Sequence, residues 1–170
     1  MNYIQGYNTT GKNGSSSREV LKETVNYVIY SGKIDIDLHI EALEDISIVR
    51  YYGLQTQNYS WKGTVTYING TNQKVTADNS LQNNPGNKEE FPGVTTIRQS
   101  SVNGDILEAW IDNQIGLGKY DYLKDNKPCA FTESYGKSYF DLVNGKELSL
   151  KKGEVIYLKG GYRLRSEGSR

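Results

Sequence analysis

Cysteine occurs once in this chain, at Cys129, which excludes an internal disulfide and any multi-cysteine zinc site. No apolar run approaches the ~18 residues that a membrane-spanning helix needs. Surplus positive charge is missing too. The 20 Lys and Arg balance 20 Asp and Glu, whereas a nucleic-acid binder usually carries a basic excess to displace counterions. Neither nucleic acid nor membrane insertion is therefore expected. The opening Met-Asn-Tyr-Ile-Gln-Gly-Tyr lacks the basic region and apolar stretch of a signal peptide. No repeat of fixed period occurs, which argues against a propeller or solenoid. His-Glu-x-x-His, a calcium loop and Gly-x-Ser-x-Gly are all absent, and Gly116-Leu117-Gly118-Lys119 lacks phosphate-loop spacing and reads as a turn. No catalytic residue, metal or cofactor is assigned.

What the chain has is alternation. From Ile34 to Glu41 the residues run apolar, polar, apolar, polar without a break. Side chains on a β-strand point to opposite faces with period two, so Ile34, Ile36, Leu38 and Ile40 line one face and Asp35, Asp37, His39 and Glu41 the other. One wet face is the mark of an antiparallel sheet.

Other strands are read at Thr24 to Tyr30, Ile46 to Leu54, Trp61 to Ile68, Gln73 to Ala77, Val94 to Ser100, Asp105 to Asp112, Tyr139 to Val143, Glu147 to Leu150, Val155 to Leu158 and Tyr162 to Arg165. The phase slip between Ile48 and Val49 suggests a β-bulge. Asn69-Gly70, Asn103-Gly104 and Asn144-Gly145 are hairpin turns because both residue types tolerate positive φ. Ser31-Gly32, Lys152-Gly153 and Gly160-Gly161 punctuate the remainder, and Arg18 to Glu23 reads as a single helical turn. The expected fold is an all-β antiparallel sandwich of roughly ten short strands in two sheets, curved toward a partial barrel. Residues 1–18 are expected to form a flexible arm or linker, 19–166 a single domain and 167–170 a tail. Asp78 to Gly93 is long for an irregular loop, which points to mobility or function.

Chemistry could sit in three places. The row Asp35, Asp37, His39 and Glu41 spaces its members about 6.5–7 Å apart, suitable for an ion or a sugar ring, yet the same row is what any wet strand face looks like. Lys137 could serve as a lyase base beside a tyrosine, although a loop lysine is ordinary. Cys129 follows Pro128 and precedes Ala130-Phe131, the setting of a buried, inert thiol.

Aromatic content is more suggestive. Fourteen tyrosines against three phenylalanines is a ratio suited to half-wet surfaces, and sugars offer both C–H patches for rings and hydroxyls for polar groups. In Glu108-Ala109-Trp110-Ile111-Asp112 the apolar residues, with Leu107, should face the core and turn Glu108, Trp110 and Asp112 outward. High β-propensity alone would also enrich tyrosine. The candidate ligand-binding residues are Trp61, Trp110 and Tyr59 for stacking, with Glu108 and Asp112 accepting hydroxyl hydrogen bonds. The leading expectation is a non-catalytic carbohydrate-recognition or accessory module of a larger exported bacterial protein, extracellular or at the cell surface, alongside other domains. A polysaccharide hydrolase or lyase and a structural, adhesive surface domain are the alternatives. A cytoplasmic location is the alternative that the lone thiol allows.

Overall fold

A computed structural model describes residues 2–6, 18–57, 64–69, 79–80, 93–112, 129–132 and 137–166. They form eleven strands: β1 (Asn2–Gly6), β2 (Arg18–Tyr30), β3 (Lys33–Ala42), β4 (Ile46–Gln57), β5 (Thr64–Asn69), β6 (Asn79–Ser80), β7 (Val94–Ser100), β8 (Asp105–Ile111), β9 (Cys129–Thr132), β10 (Lys137–Leu150) and β11 (Val155–Ser166). Every pairing is antiparallel. Eight strands make one sheet in the order β1-β2-β3-β11-β8-β7-β5-β6, and β4-β10-β9 make a second. The architecture is the expected all-β sandwich, and among the described residues no barrel closes.

The alternation of β3 is realised as read. Ile36 and Ile40 are buried and Ile34 and Leu38 pack against the same core, while His39 on the other face is exposed. Ala109 and Ile111 on β8 and Ile156 and Leu158 on β11 join that inner face. The small sheet covers it with Ile48 and Leu54 from β4 and Phe140, Leu142 and Leu150 from β10. Ile40, Phe140, Leu142 and Ile156 are all 0% exposed, and each contributes about 1.5–3 kcal/mol through removal from water.

Polar contacts join the layers as well. The Tyr51 hydroxyl on β4 donates to Glu23 Oε1 on β2 at 2.9 Å, and Tyr162 on β11 donates to the Gln55 carbonyl of β4 at 2.9 Å. Within the buried interior, Gln99 Nε2 donates to Ser138 Oγ at 3.1 Å, which meets Thr132 Oγ1 at 2.8 Å. Thr132 in turn bonds the Tyr67 hydroxyl. This chain of hydrogen bonds crosses from β7 and β5 to β10 and β9 and gives the Gln99 amide nitrogen and the three hydroxyls partners in the interior.

Several local expectations are corrected. Arg18 to Glu23 is the start of β2 rather than a helical turn: β1 pairs along it, and a bulge opposite Ile4 and Gln5 leaves both Val20 and Leu21 buried. Two neighbouring inward residues spoil the period of two, which is why the segment did not read as a strand. The same pairing places Asn2–Gly6, part of the expected arm, in the sheet.

Asn144-Gly145 does not end a strand either. β10 runs through it, and the four-residue step from Asn144 to Leu148 opposes the two-residue step from Arg50 to Ile48. The phase slip at Val49 is therefore real, but the extra residues lie on the partner strand. Gly160-Gly161 is strand, not turn. A β-carbon on Gly160 would stand 2.3 Å from the Trp110 carbonyl oxygen, and one on Gly161 would stand 2.0 Å from that of Ile34.

Three turns are as expected, with Gly32, Gly104 and Gly153 at φ of 69°, 87° and 81°. Of the Asn69-Gly70 turn, Asn69 ends β5 and Gly70 lies outside the described residues, as do the strand read at Gln73 to Ala77 and, apart from β6 and Gly93, the stretch Asp78 to Gly93.

Candidate functional site

Residues opposite one another in register share a face of the sheet. Arg163 on β11 pairs with Lys33 on β3 and with Glu108 on β8, and Glu108 pairs with Arg98 on β7. Lys33, Arg163, Glu108 and Arg98 thus form one row across the outer face of the large sheet. In the next row Gly161 pairs with both Asp35 and Trp110. On the other side of Glu108, Arg165 lies opposite Ile106.

Glu108 is only 2% exposed. Its Oε1 accepts from Arg98 Nε at 2.8 Å, lies 2.6 Å from Arg98 Nη2 and accepts from Arg165 Nη2 at 2.7 Å. Arg163 Nη1 stands 3.9 Å from Oε2. Burying a lone carboxylate costs several kcal/mol, and charge-assisted bonds to guanidinium groups offset that cost. The arginine side chains keep 37% (Arg98), 46% (Arg163) and 56% (Arg165) of their surface exposed. One covered anion therefore holds three cations whose other donors face water.

Trp110 is partly exposed. Opposite it Gly161 has no side chain, and a β-carbon there would lie 3.1 Å from the indole Nε1. The indole occupies that vacant space, with its N–H sealed from solvent and no acceptor for it among the described residues. Arg163 Cζ and Lys33 Nζ stand 5.2 and 6.0 Å from the ring centroid, within cation–π range. Lys33 also bonds Asp35 Oδ2 at 2.8 Å and lies 5.5 Å from the Tyr30 ring.

The polar row of β3 continues along the same outer face. Each acid has a lysine: Asp35 has Lys33, Asp37 has Lys159 at 3.9 Å, and Glu41 has Lys22 at 3.6 Å. His39 meets the Tyr157 ring edge-on, with centroids 4.8 Å apart. Among the described residues, no group of three or more His, Cys, Asp or Glu is placed to hold a metal ion. The row is arranged as a charge-compensated wet face.

Elsewhere, Lys137 Nζ lies 5.0 Å from the Tyr139 ring, which stacks on Phe131 at 4.9 Å. An open pocket of about 270 Å³ is lined by Asp45, Ile46, Ser47, Ser149, Leu150 and Lys151. There Lys151 Nζ donates to Asp45 Oδ2 at 2.8 Å, and the Lys152 amide donates to Oδ1 at 2.9 Å. These two bonds, the lysine ammonium first, hold the Asp45 carboxyl below its usual range.

Glu108, Trp110 and Asp112 share one face opposite Ala109 and Ile111, as the alternation implies. Glu108 differs from its expectation in being covered, because arginines from both flanking strands close over it. Its carboxylate is committed to them rather than turned toward water. The Asp112 amide donates to the Lys159 carbonyl at 2.8 Å, which fixes the chain just past β8. Trp61 and Tyr59 lie outside the described residues, and of Cys129 only the backbone is described. Arg98, Arg163, Arg165 and Lys33 were not singled out from sequence. Arg163-Leu164-Arg165 carries a signal, two like charges at a spacing of two, but their neighbours depend on long-range register.

No family model matches the chain, and no curated protein matches it. Among solved structures it is similar to the Slr1438 protein of Synechocystis at 10% identity and a TM-score of 0.41, over 86% of this chain and 55% of that one. The present chain thus spans about half the length of that protein.

Proposed function

We propose that this domain is a non-catalytic glycan-recognition module, an accessory part of a larger exported bacterial protein. The observation that carries the reading is the arrangement around Trp110. An aromatic ring is seated over Gly161 on a broad sheet face, with Lys33 and Arg163 beside it. A saccharide needs an apolar surface for its C–H patches and fixed polar groups for its hydroxyls, and this face offers both. Tight packing beneath the ring and the salt bridges around Glu108 hold the groups in place before a ligand arrives, which lowers the cost of binding.

Affinity electrophoresis through gels containing a panel of soluble polysaccharides tests the proposal. Retardation by at least one polymer, lost in Trp110→Ala, is the expected result. Unretarded migration in every gel overturns the reading.

A second reading, a surface domain that assembles through its sheet edge, is favoured by β2. Among the described residues β1 covers only its Arg18–Glu23 part. The remaining Thr24–Tyr30 carries no charge, and Tyr27 and Ile29 are 61% and 74% exposed. Natural edges usually carry lysine, proline or a bulge to prevent pairing. A second copy of the chain, adding antiparallel to this edge, is the occupant on this reading. Concentration-dependent sedimentation abolished by Ile29→Lys would favour it over the glycan reading.

A further inference from the structure

We propose that the ligand of this face is an acidic saccharide, whose carboxylate or sulfate groups sit on Arg98, Arg163 and Arg165 beside Trp110. The inference rests on the glycan reading above and narrows it to a charge class.

Charge at the site is the first argument. Glu108 supplies one negative charge against three guanidinium groups. The nearby Lys33 is matched by Asp35, and farther along β3 Asp37 and Glu41 are matched by Lys159 and Lys22. Among the described residues the guanidinium groups thus outnumber the carboxylate they hold, in a chain whose formal net charge is zero. Such a local excess attracts anions without making the whole molecule a polyanion binder.

Geometry is the second. A guanidinium has five N–H donors, and Glu108 engages only one edge of Arg98 and one nitrogen of Arg165 within 3 Å. The remaining donors form a fork suited to planar carboxylate or to sulfate. β7 and β11 flank β8, and Arg98 and Arg165 reach over it to the same Glu108 oxygen, at 2.6 and 2.7 Å, so their guanidinium groups stand side by side. Guanidinium groups gathered so closely suit one carboxylate or sulfate group of a saccharide that bridges them. The buried carboxylate between them keeps the cations from spreading into solvent, so their ordering is settled on folding.

Access to the ring is the third argument. Arg163 and Lys33 stand over the indole. A neutral sugar stacking there would take water from both cations and leave their charge unmatched. An acidic one places its charge on those same cations and its C–H face at the ring margin.

The test uses the full chain and matched polymer pairs: polygalacturonate against its fully methyl-esterified form, and dextran sulfate against dextran. Single-stranded DNA serves as a polyanion without saccharide acid groups. Arg98→Gln, Arg163→Gln and Arg163→Lys are compared with Lys151→Gln, a distant charge control, and thermal melting verifies each fold. The expected result is binding to polygalacturonate or dextran sulfate but not to its neutral counterpart. The two glutamine variants should weaken it roughly tenfold or more, about 1.4 kcal/mol, while Lys151→Gln leaves it unchanged. The carboxylate and sulfate arms identify which acid is recognised.

Equal binding to charged and neutral forms, or indifference to both arginine substitutions, overturns the acidic class and leaves glycan recognition standing. Binding to none of the four polymers overturns the acidic class, and unretarded migration across the whole polysaccharide panel overturns glycan recognition as well. Equal affinity for dextran sulfate and DNA, unaffected by Trp110→Ala, shows general polyelectrolyte attraction and overturns the proposal.

Discussion

Two glycines in β11 do different work from the glycines in the turns. At Gly161 an added β-carbon would meet the Ile34 carbonyl at 2.0 Å, and backbone cannot move aside as the end of a side chain can. Gly153 has nothing within 4 Å, and only its φ of 81° resists a side chain. Gly161→Ala should therefore destabilise by about 3 kcal/mol or more, at the upper end of overpacking costs. Gly153→Ala should cost only about 1–2 kcal/mol, the penalty of a left-handed backbone. Urea unfolding of the two variants gives the comparison, and equal losses would contradict the close approach. From sequence alone, Gly160-Gly161 is indistinguishable from a turn, because glycine marks both positive φ and tight contact. Only the partner strand, contributed by Ile34, tells them apart. Glu108 is a similar case. Its face is legible from Ala109 and Ile111 beside it, while its burial depends on arginines far away in the chain.

At the level of elements, regular strands announced themselves and irregular ones did not. β3, β7 and β8 keep period two and sit close to where the pattern places them. β2 and β10 each contain a bulge, and the bulge breaks the periodicity from which a strand is read. The bond between β4 and β2 gives a prediction here. Burial chiefly, then the neighbouring Glu23 charge and the hydrogen bond to it, raises the Tyr51 hydroxyl well above its usual value of 10.0. Burial likewise raises Tyr162, partly opposed by its bond to Gln55. An unfolded tyrosine ionises near pH 10 whereas these folded ones hold their protons. Their contribution is complete below that pH and is lost as pH rises toward the folded values. Stability should fall between about pH 10 and 11, and Tyr51→Phe should flatten the fall while lowering stability at neutral pH by about 1 kcal/mol. Urea midpoints across that range measure both effects. An unchanged alkaline slope in the variant would refute the account.

Over the whole molecule, the cationic end of the sheet exists only because β11 lies between β3 and β8. Lys33, Glu108 and Arg163 are remote in sequence and adjacent in register, which no local pattern could disclose. The same placement governs how the protein is made. β11 is the last of the described strands and a central one in the large sheet, and both of its ladders join it to strands far upstream. Contacts of such long range slow folding, and refolding is expected on the millisecond-to-second scale rather than in microseconds. Stopped-flow fluorescence would measure it, and microsecond refolding would contradict the topology. During synthesis β3 and β8 are complete while the strand that joins them is still unmade. Each then presents an open edge with Ile36, Ile40, Ala109 or Ile111 beside it, and unpaired strands of that kind are prone to aggregation. A nascent chain of this protein is therefore most vulnerable between the synthesis of β8 and that of β11, and slowing the ribosome over the codons of β11 would lengthen its need for a chaperone.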